Sequence, residues 1–156
     1  MPEPYRHSVS VAGVVVRDDG KILVIRRRDN GHYQAPGGVL EQHERIEDGM
    51  AREIFEETGL RAEPEQLTGI YKHMGLGVVA LVFRARSLGG TPTVTDEAAE
   101  ILWMDRDQVV TRMTEAFAIR VIDAFDGPWP HIRHHDGTRL LPAEDGCREE
   151  NADVPG

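Results

Sequence analysis

Gly38-Val39-Leu40-Glu41-Gln42-His43-Glu44-Arg45-Ile46-Glu47-Asp48-Gly49-Met50-Ala51-Arg52-Glu53-Ile54-Phe55-Glu56-Glu57-Thr58-Gly59-Leu60 is the stretch around which this chain is organised. Its second half reads as a helix that should begin near Arg45. Ile46, Met50 and Ile54 recur every four residues and make an apolar stripe. Glu53, Glu56 and Glu57 stand at i, i+3 and i+4 and share a face beside it. Gly59 follows as a residue that can take a positive φ and stop the helix. No Ser, Thr or Pro opens the helix, so its N-terminal cap is expected to be weak. Three carboxylates on one short arc repel one another. A divalent cation reverses that sign, and clustered hard oxygen ligands suit Mg²⁺ or Mn²⁺. The competing reading is a solvated acidic helix face.

Spacing separates the two readings. Gly38 is followed by five residues, Glu44, seven residues, and then Arg52 to Leu60 without interruption. Chance agreement with a fixed pattern of this kind is on the order of 10⁻⁹ per start position. The pattern resembles the signature of the Nudix hydrolases, G-x5-E-x7-R-E-U-x-E-E-x-G-U with U aliphatic, and looser similarity runs from about Val9 to Val109. Members of that family cleave a nucleoside diphosphate linked to some other group X, using divalent metal. The resemblance implies Mg²⁺, with Mn²⁺ as the alternative, held by Glu53, Glu56, Glu57 and the carbonyl of Gly37. It places Glu44, Arg52 and Glu53 in the catalytic set. Arg52 lies four before Glu56, so an ion pair on the helix surface is one reading and orientation of the glutamates is the other. Gly49, one turn before Glu53, is expected to leave room for ion and phosphate.

The chain has 156 residues and a net charge of −9. That length fits one domain with its own core. The charge argues against a general nucleic-acid or membrane-surface binder. It leaves room for a small-molecule nucleotide, because bound metal can bridge two anionic partners. Cys147 is the one cysteine, so no internal disulfide is expected, and nothing places a base beside it to make it a nucleophile. No apolar run is long enough to span a bilayer and no signal-peptide pattern opens the chain, so a cytoplasmic location is expected. Many relatives of the resembled family are dimers, which makes a homodimer the assembly to test.

Along the chain, Ser8 to Val16 and Ile22 to Arg26 read as strands joined by a turn at Asp18 to Lys21. Strand alternation sends Arg26 and Arg28 to one side and Arg27 to the other, and phosphate contact is expected of Arg26 and Arg28. Asp29 to Ala35 is a polar loop. Tyr33 in it either stacks on a base or packs against the loop. Gly37 and Gly38 let backbone approach a ligand closely. Glu63 to Gln66 reads as a connection, and Leu67 to Lys72 and Val78 to Arg86 as strands turned by His73 to Gly77. Ile101 to Met104 is a short buried strand, and Thr114 to Phe125 an amphipathic helix. These elements point to an α/β fold, an α/β/α sandwich around a mixed β-sheet, as the resemblance also implies. Composition shifts at Gly127. A single hydrolase domain over 1–126 is therefore expected, followed by a partly disordered extension over 127–156 with a small strand at Gly137 to Leu141. His131, His134 and His135 in that extension read as structural or solvated rather than as a zinc site.

The general base is expected outside the helix. Glu97 lies six residues before Trp103, a placement that relatives use for an extra carboxylate, and Glu100 is its neighbour and rival. Marks of dinucleoside-polyphosphate and ADP-ribose subfamilies, a Tyr or Pro, are missing from Met74 to Gly77. A nucleoside or deoxynucleoside triphosphate is therefore the expected substrate. A nucleotide-sugar or another nucleoside diphosphate derivative is the alternative, and a catalytically silent nucleotide sensor is the alternative of another class.

Overall fold

Two patterns of alternation build the architecture. A computed structural model describes residues 3–143. In strand β1 (Ser8–Val15), Val11 and Val15 point to one face and Ala12 and Val14 to the other. In β2 (Ile22–Arg27), Leu23 joins the first set and Ile22 and Val24 the second. The first face packs on Met50 and Ile54 of helix α1 (Ile46–Thr58). The second packs on Val109 of α2 (Arg106–Arg112) and on Ala118 and Val121 of α3 (Glu115–Asp123). Helices on both faces of a mixed sheet make the expected α/β sandwich. Helix α1 sits close because Gly13 is bare: a Cβ there would lie 2.5 Å from Ile54 Cδ1.

The strands divide between two sheets. One has the order β4-β1-β6-β5-β8, with β4 at Gly37–Val39, β5 at Arg61–His73, β6 at Val78–Gly89 and β8 at His131–His135. The other has the order β3-β2-β7, with β3 at Tyr33–Gln34 and β7 at Ala98–Met104. The β1–β2 turn does not produce a paired hairpin. A single antiparallel bridge joins Val16 to Ile22, after which the strands part into different sheets. Pairs β1–β6 and β5–β8 are parallel and the others antiparallel.

Several sequence expectations shift. Glu63 to Gln66 is not a connection: β5 runs through it, with register irregularities at Pro64/Gln66 that absorb the proline. The loop expected over Asp29 to Ala35 contains one short strand, β3, and a second, β4, follows it. Helix α2 was not anticipated. Asp105 caps it, accepting from Gln108 N–H at 2.8 Å while Gln108 Oε1 accepts from Asp105 N–H at 3.0 Å. The late strand falls at His131–His135, not at Gly137 to Leu141, where one bridge to Leu140 remains. It lies past the boundary expected at 126 and belongs to the five-stranded sheet. Asp123 fastens it: Arg133 donates to both carboxylate oxygens at 2.7 and 2.8 Å, and Tyr71 O–H donates at 2.8 Å. The disorder expected toward the C-terminus, and Cys147, lie outside the described residues. Among the described residues no helix is long and apolar enough to cross a membrane.

Candidate active site

Helix α1 delivers its acids selectively. Its N-cap Arg45 makes no side-chain cap bond, as the sequence suggested, and Gly59 closes it at φ 77° with N–H donated to Phe55 O. The sheet-facing side buries Met50 and Ile54, and with them Glu53 and Glu57, which are 8% and 4% exposed. Glu56 stays at the solvent edge, where Arg52 donates to it at 3.1 Å. The third carboxylate comes from elsewhere. Oxygens of Glu53, Glu57 and Glu97 all lie within 4.8 Å of one another.

Hydrogen bonds from three directions hold the Glu97 loop against the helix. Thr93 N–H donates to Thr58 O at 2.8 Å, Thr95 Oγ1 donates to Glu57 O at 3.2 Å, and Arg28 Nη2 donates to Thr95 O at 3.2 Å. Arg28 N–H also donates to Glu97 O at 3.3 Å. Glu100 points elsewhere and pairs with Arg26 at 3.1 Å.

Arg52 organises the acids. It donates to both oxygens of Glu44 at 2.8 and 2.6 Å, to Glu53 at 2.9 Å and to Val39 O at 3.1 Å. Glu44 also accepts Glu41 N–H at 2.8 Å. These bonds, Arg52 first, hold the Glu44 carboxyl down at about 2. Arg52 thus ties the loop before α1, the end of β4 and the acid face into one unit. Gly49 serves this unit: a Cβ there would meet Leu40 at 2.6 Å and Glu44 at 2.9 Å, so the room it leaves holds those side chains rather than ion and phosphate.

Charge in the cluster is under strain. Burial, then Glu53 and Glu97, push the Glu57 carboxyl up to about 8, while the backbone of Gly37 and the Arg27 guanidinium act in the opposite direction. Burial also raises Glu53, against the pull of Arg52. Glu57 Oε2 is buried without a hydrogen-bond partner. Strand β4 presses on the group from the other side, since a Cβ on Gly38 would lie 2.5 to 2.7 Å from the Glu53 carboxylate. Converging carboxylates with an orphaned oxygen, under bare backbone, fit a hard divalent cation.

A cleft of about 580 Å³ opens over the cluster, walled by Arg27, Arg28, Gly37, Gly38 and Gln34. Arg27 is the residue that alternation had turned away. It shares the α1 side of β2 with Leu23 and Ile25, and a register shift between Arg26 and Arg27 opens the strand end. Arg26 is drawn off by Glu100. Tyr33 packs against the α2/α3 core, with Arg112 5.8 Å from its ring centre, and does not line the cleft. A second cavity of about 270 Å³ joins the first through Ser10, Arg27, Gln34, Gly37 and Gly38, and extends to Phe117, Arg120 and His135. Of the three clustered histidines that read as structural or solvated, His135 is the buried one and lines this wall.

The chain matches the NUDIX domain over residues 6–125. It is 54% identical over 140 residues to a MutT-like protein of Streptomyces ambofaciens, covering 90% of this chain and 91% of that one. It is 33% identical over 108 residues to an ADP-ribose pyrophosphatase of Methanocaldococcus jannaschii, covering 65% of this chain and 64% of that one. Among solved structures, a NUDIX hydrolase from Nitrosomonas europaea superposes with a TM-score of 0.71 at 21% identity, over 85% of this chain and 82% of that one. The chain belongs to the NUDIX family and is a hydrolase.

Proposed function

We propose that this NUDIX hydrolase cleaves a phosphoanhydride bond of a nucleoside or deoxynucleoside triphosphate, giving the nucleoside monophosphate and pyrophosphate. The observation that carries the reading is the meeting of Glu53, Glu57 and Glu97 under a cleft flanked by Arg27 and Arg28. Glu53 and Glu57 hold Mg²⁺, or Mn²⁺ in its place, with the Gly37 carbonyl as a candidate further ligand. Glu56 is a peripheral candidate, because Arg52 engages it. The bound ion supplies charge neutralisation at the phosphates and a template for the attacking water.

The protein's own groups do the rest. Arg27 and Arg28 neutralise the phosphate chain, with Gly38 permitting close approach to backbone. Arg52, through Glu44 and Glu53, keeps the acid face in register; it is a positioning residue. Glu97 is the exposed member of the three acids and takes the proton from water as the new P–O bond forms and pyrophosphate leaves. The ADP-ribose pyrophosphatase relative supports a second reading, in which the substrate is another nucleoside diphosphate derivative, such as a nucleotide sugar. A silent sensor is disfavoured because the acid cluster is intact.

A panel of nucleotides with Mg²⁺, assayed for phosphate and pyrophosphate release, tests the reading. Pyrophosphate from a triphosphate is expected. Tight binding of a nucleotide with no cleavage of any panel member would replace it by the sensor reading. Glu97→Gln is expected to lower kcat by about 10²-fold or more. Glu100→Gln, whose partner is Arg26, is expected to leave kcat unchanged. The reverse outcome moves the base to Glu100.

A further inference from the structure

The cavity beside the acidic cleft ends on two groups that hydrolysis does not use, Arg120 of α3 and His135 of β8. Backbone geometry fixes the tautomer of His135. Its Nδ1 accepts from Gly137 N–H at 3.0 Å, and a neutral imidazole has a single acceptor nitrogen. The proton therefore sits on Nε2. That nitrogen lies 3.3 Å from Nη2 of Arg120, which can also only donate. Two donors face each other with no acceptor between them. Charging the ring would not relieve this, since an imidazolium donates from both nitrogens.

Arg120 is otherwise unclaimed. Its Nε is sequestered from solvent without a hydrogen-bond partner. Its guanidinium lies 4.6 Å from the Phe117 ring centre and 5.1 Å from that of Tyr71. Asp123, the buried carboxylate of the same helix, is taken by Arg133 and Tyr71. Buried donors left without an acceptor are costly, and native proteins satisfy them with protein, water or ligand. The remaining wall is largely apolar, with Val11, Ala12, Ala35, Val78 and Ala80. A cavity of that kind takes a flat heterocycle more readily than a doubly charged phosphate group.

We propose that Arg120 and His135 form the specificity subsite for the base of the nucleotide, reading two adjacent acceptors on a keto-bearing edge such as O6 and N7 of a 6-oxopurine. Arginine matches that edge bidentately, whereas adenine presents an amino donor in place of O6. The assignment rests on the nucleotide reading above. Arg27, Gln34, Gly37 and Gly38 border both cavity and cleft, so one ligand spans them with its phosphates over the carboxylates.

IMP and AMP share their sugar and phosphate and differ at this edge, so calorimetric Kd values for the two, without metal, are the direct test. Wild type is expected to favour IMP by about tenfold or more. Arg120→Met keeps an apolar stem against Tyr71 and removes the donors. His135→Asn keeps an acceptor for Gly137 N–H and removes the Nε2 donor. Each is expected to bring the IMP-to-AMP ratio within about twofold while AMP binding holds. Equal binding of IMP and AMP by wild type, or binding of neither, overturns the assignment without recourse to the variants. So does a folded variant that keeps the preference. Turnover of ITP against ATP with Mg²⁺ separates the two readings: an IMP preference in a protein that cleaves neither leaves this subsite standing and overturns the triphosphate reading.

Discussion

Replacing Glu57 by Gln should make the metal-free protein more stable and the metal-loaded protein worse. Glu57 is 4% exposed and shares its space with Glu53 and Glu97, with oxygens no more than 4.8 Å apart. At that distance two ionised carboxylates repel by about 3 kcal/mol at an effective dielectric near 20. Its carboxyl is raised from 4.5 to about 8, so at pH 7 the folded chain binds a proton there that the open chain does not. The folded state holds more protons across that window, and its stability therefore falls as pH rises through it. At pH 7 the penalty is at most about 3 kcal/mol. Gln has the same shape but keeps a buried amide to satisfy, so a gain of about 2 kcal/mol is a fair expectation, or about 4–8 °C in Tm for a chain of this size. Divalent metal acts oppositely. At 100 times its Kd, an ion stabilises wild type by about 2.7 kcal/mol, and Glu57→Gln removes a charged ligand from it. Thermal unfolding at pH 7 in EDTA, then in millimolar Mg²⁺, should show the two curves change order. An apo variant no more stable than wild type, or one with an undiminished Mg²⁺ shift, would refute the reasoning.

Three further outcomes follow from the geometry. Arg27→Ala should raise KM several-fold with a smaller change in kcat, while Arg26→Ala, already committed to Glu100, should leave both near wild type; steady-state kinetics of the pair decides. Arg133→Met should leave Asp123, 2% exposed, with the Tyr71 hydroxyl as its side-chain hydrogen-bond donor and His131 Nε2 at 3.8 Å, costing about 3 kcal/mol in urea unfolding. His135 has its pKa lowered from 6.5 to about 4, by burial first and then by Arg120 and His73. Its stabilising effect is therefore full above pH 6.5 and lost as pH falls toward 4, by up to about 3 kcal/mol, and His135→Asn should flatten that acid limb of a Tm–pH curve.

Helix α1 was legible because its information is local. Apolar spacing, acid spacing and the closing glycine all lie within a few turns, and Gly59 caps the helix as its φ of 77° requires. Glu97 was legible from its offset to Trp103, although only the fold shows its loop stitched to Thr58 and Glu57. The errors share a different cause. Alternation along β2 was sound, but which face carries the site depends on where α1 docks, and that face is the one of Leu23, Ile25 and Arg27. Glu63 to Gln66 looked like a connection because it is polar and holds a proline, yet bulges let such residues stay in an antiparallel pair. Strand β8 was obscured by its histidines and charge. Its place is set by pairing with β5, some sixty residues earlier, a contact no short window of sequence contains.

The position of that last strand gives the protein a history during synthesis. A ribosome delivers the chain from its N-terminus, and domains begin to fold as they emerge. Every carboxylate of the cluster has appeared once Glu97 is made, whereas the parallel partner of β5 comes more than thirty residues later. A nascent chain halted at Asp126 carries Glu53, Glu57 and Glu97 but lacks His135 and the Arg133 clamp on Asp123. The acid cluster and the wall that carries His135 are thus laid down at separate moments of synthesis.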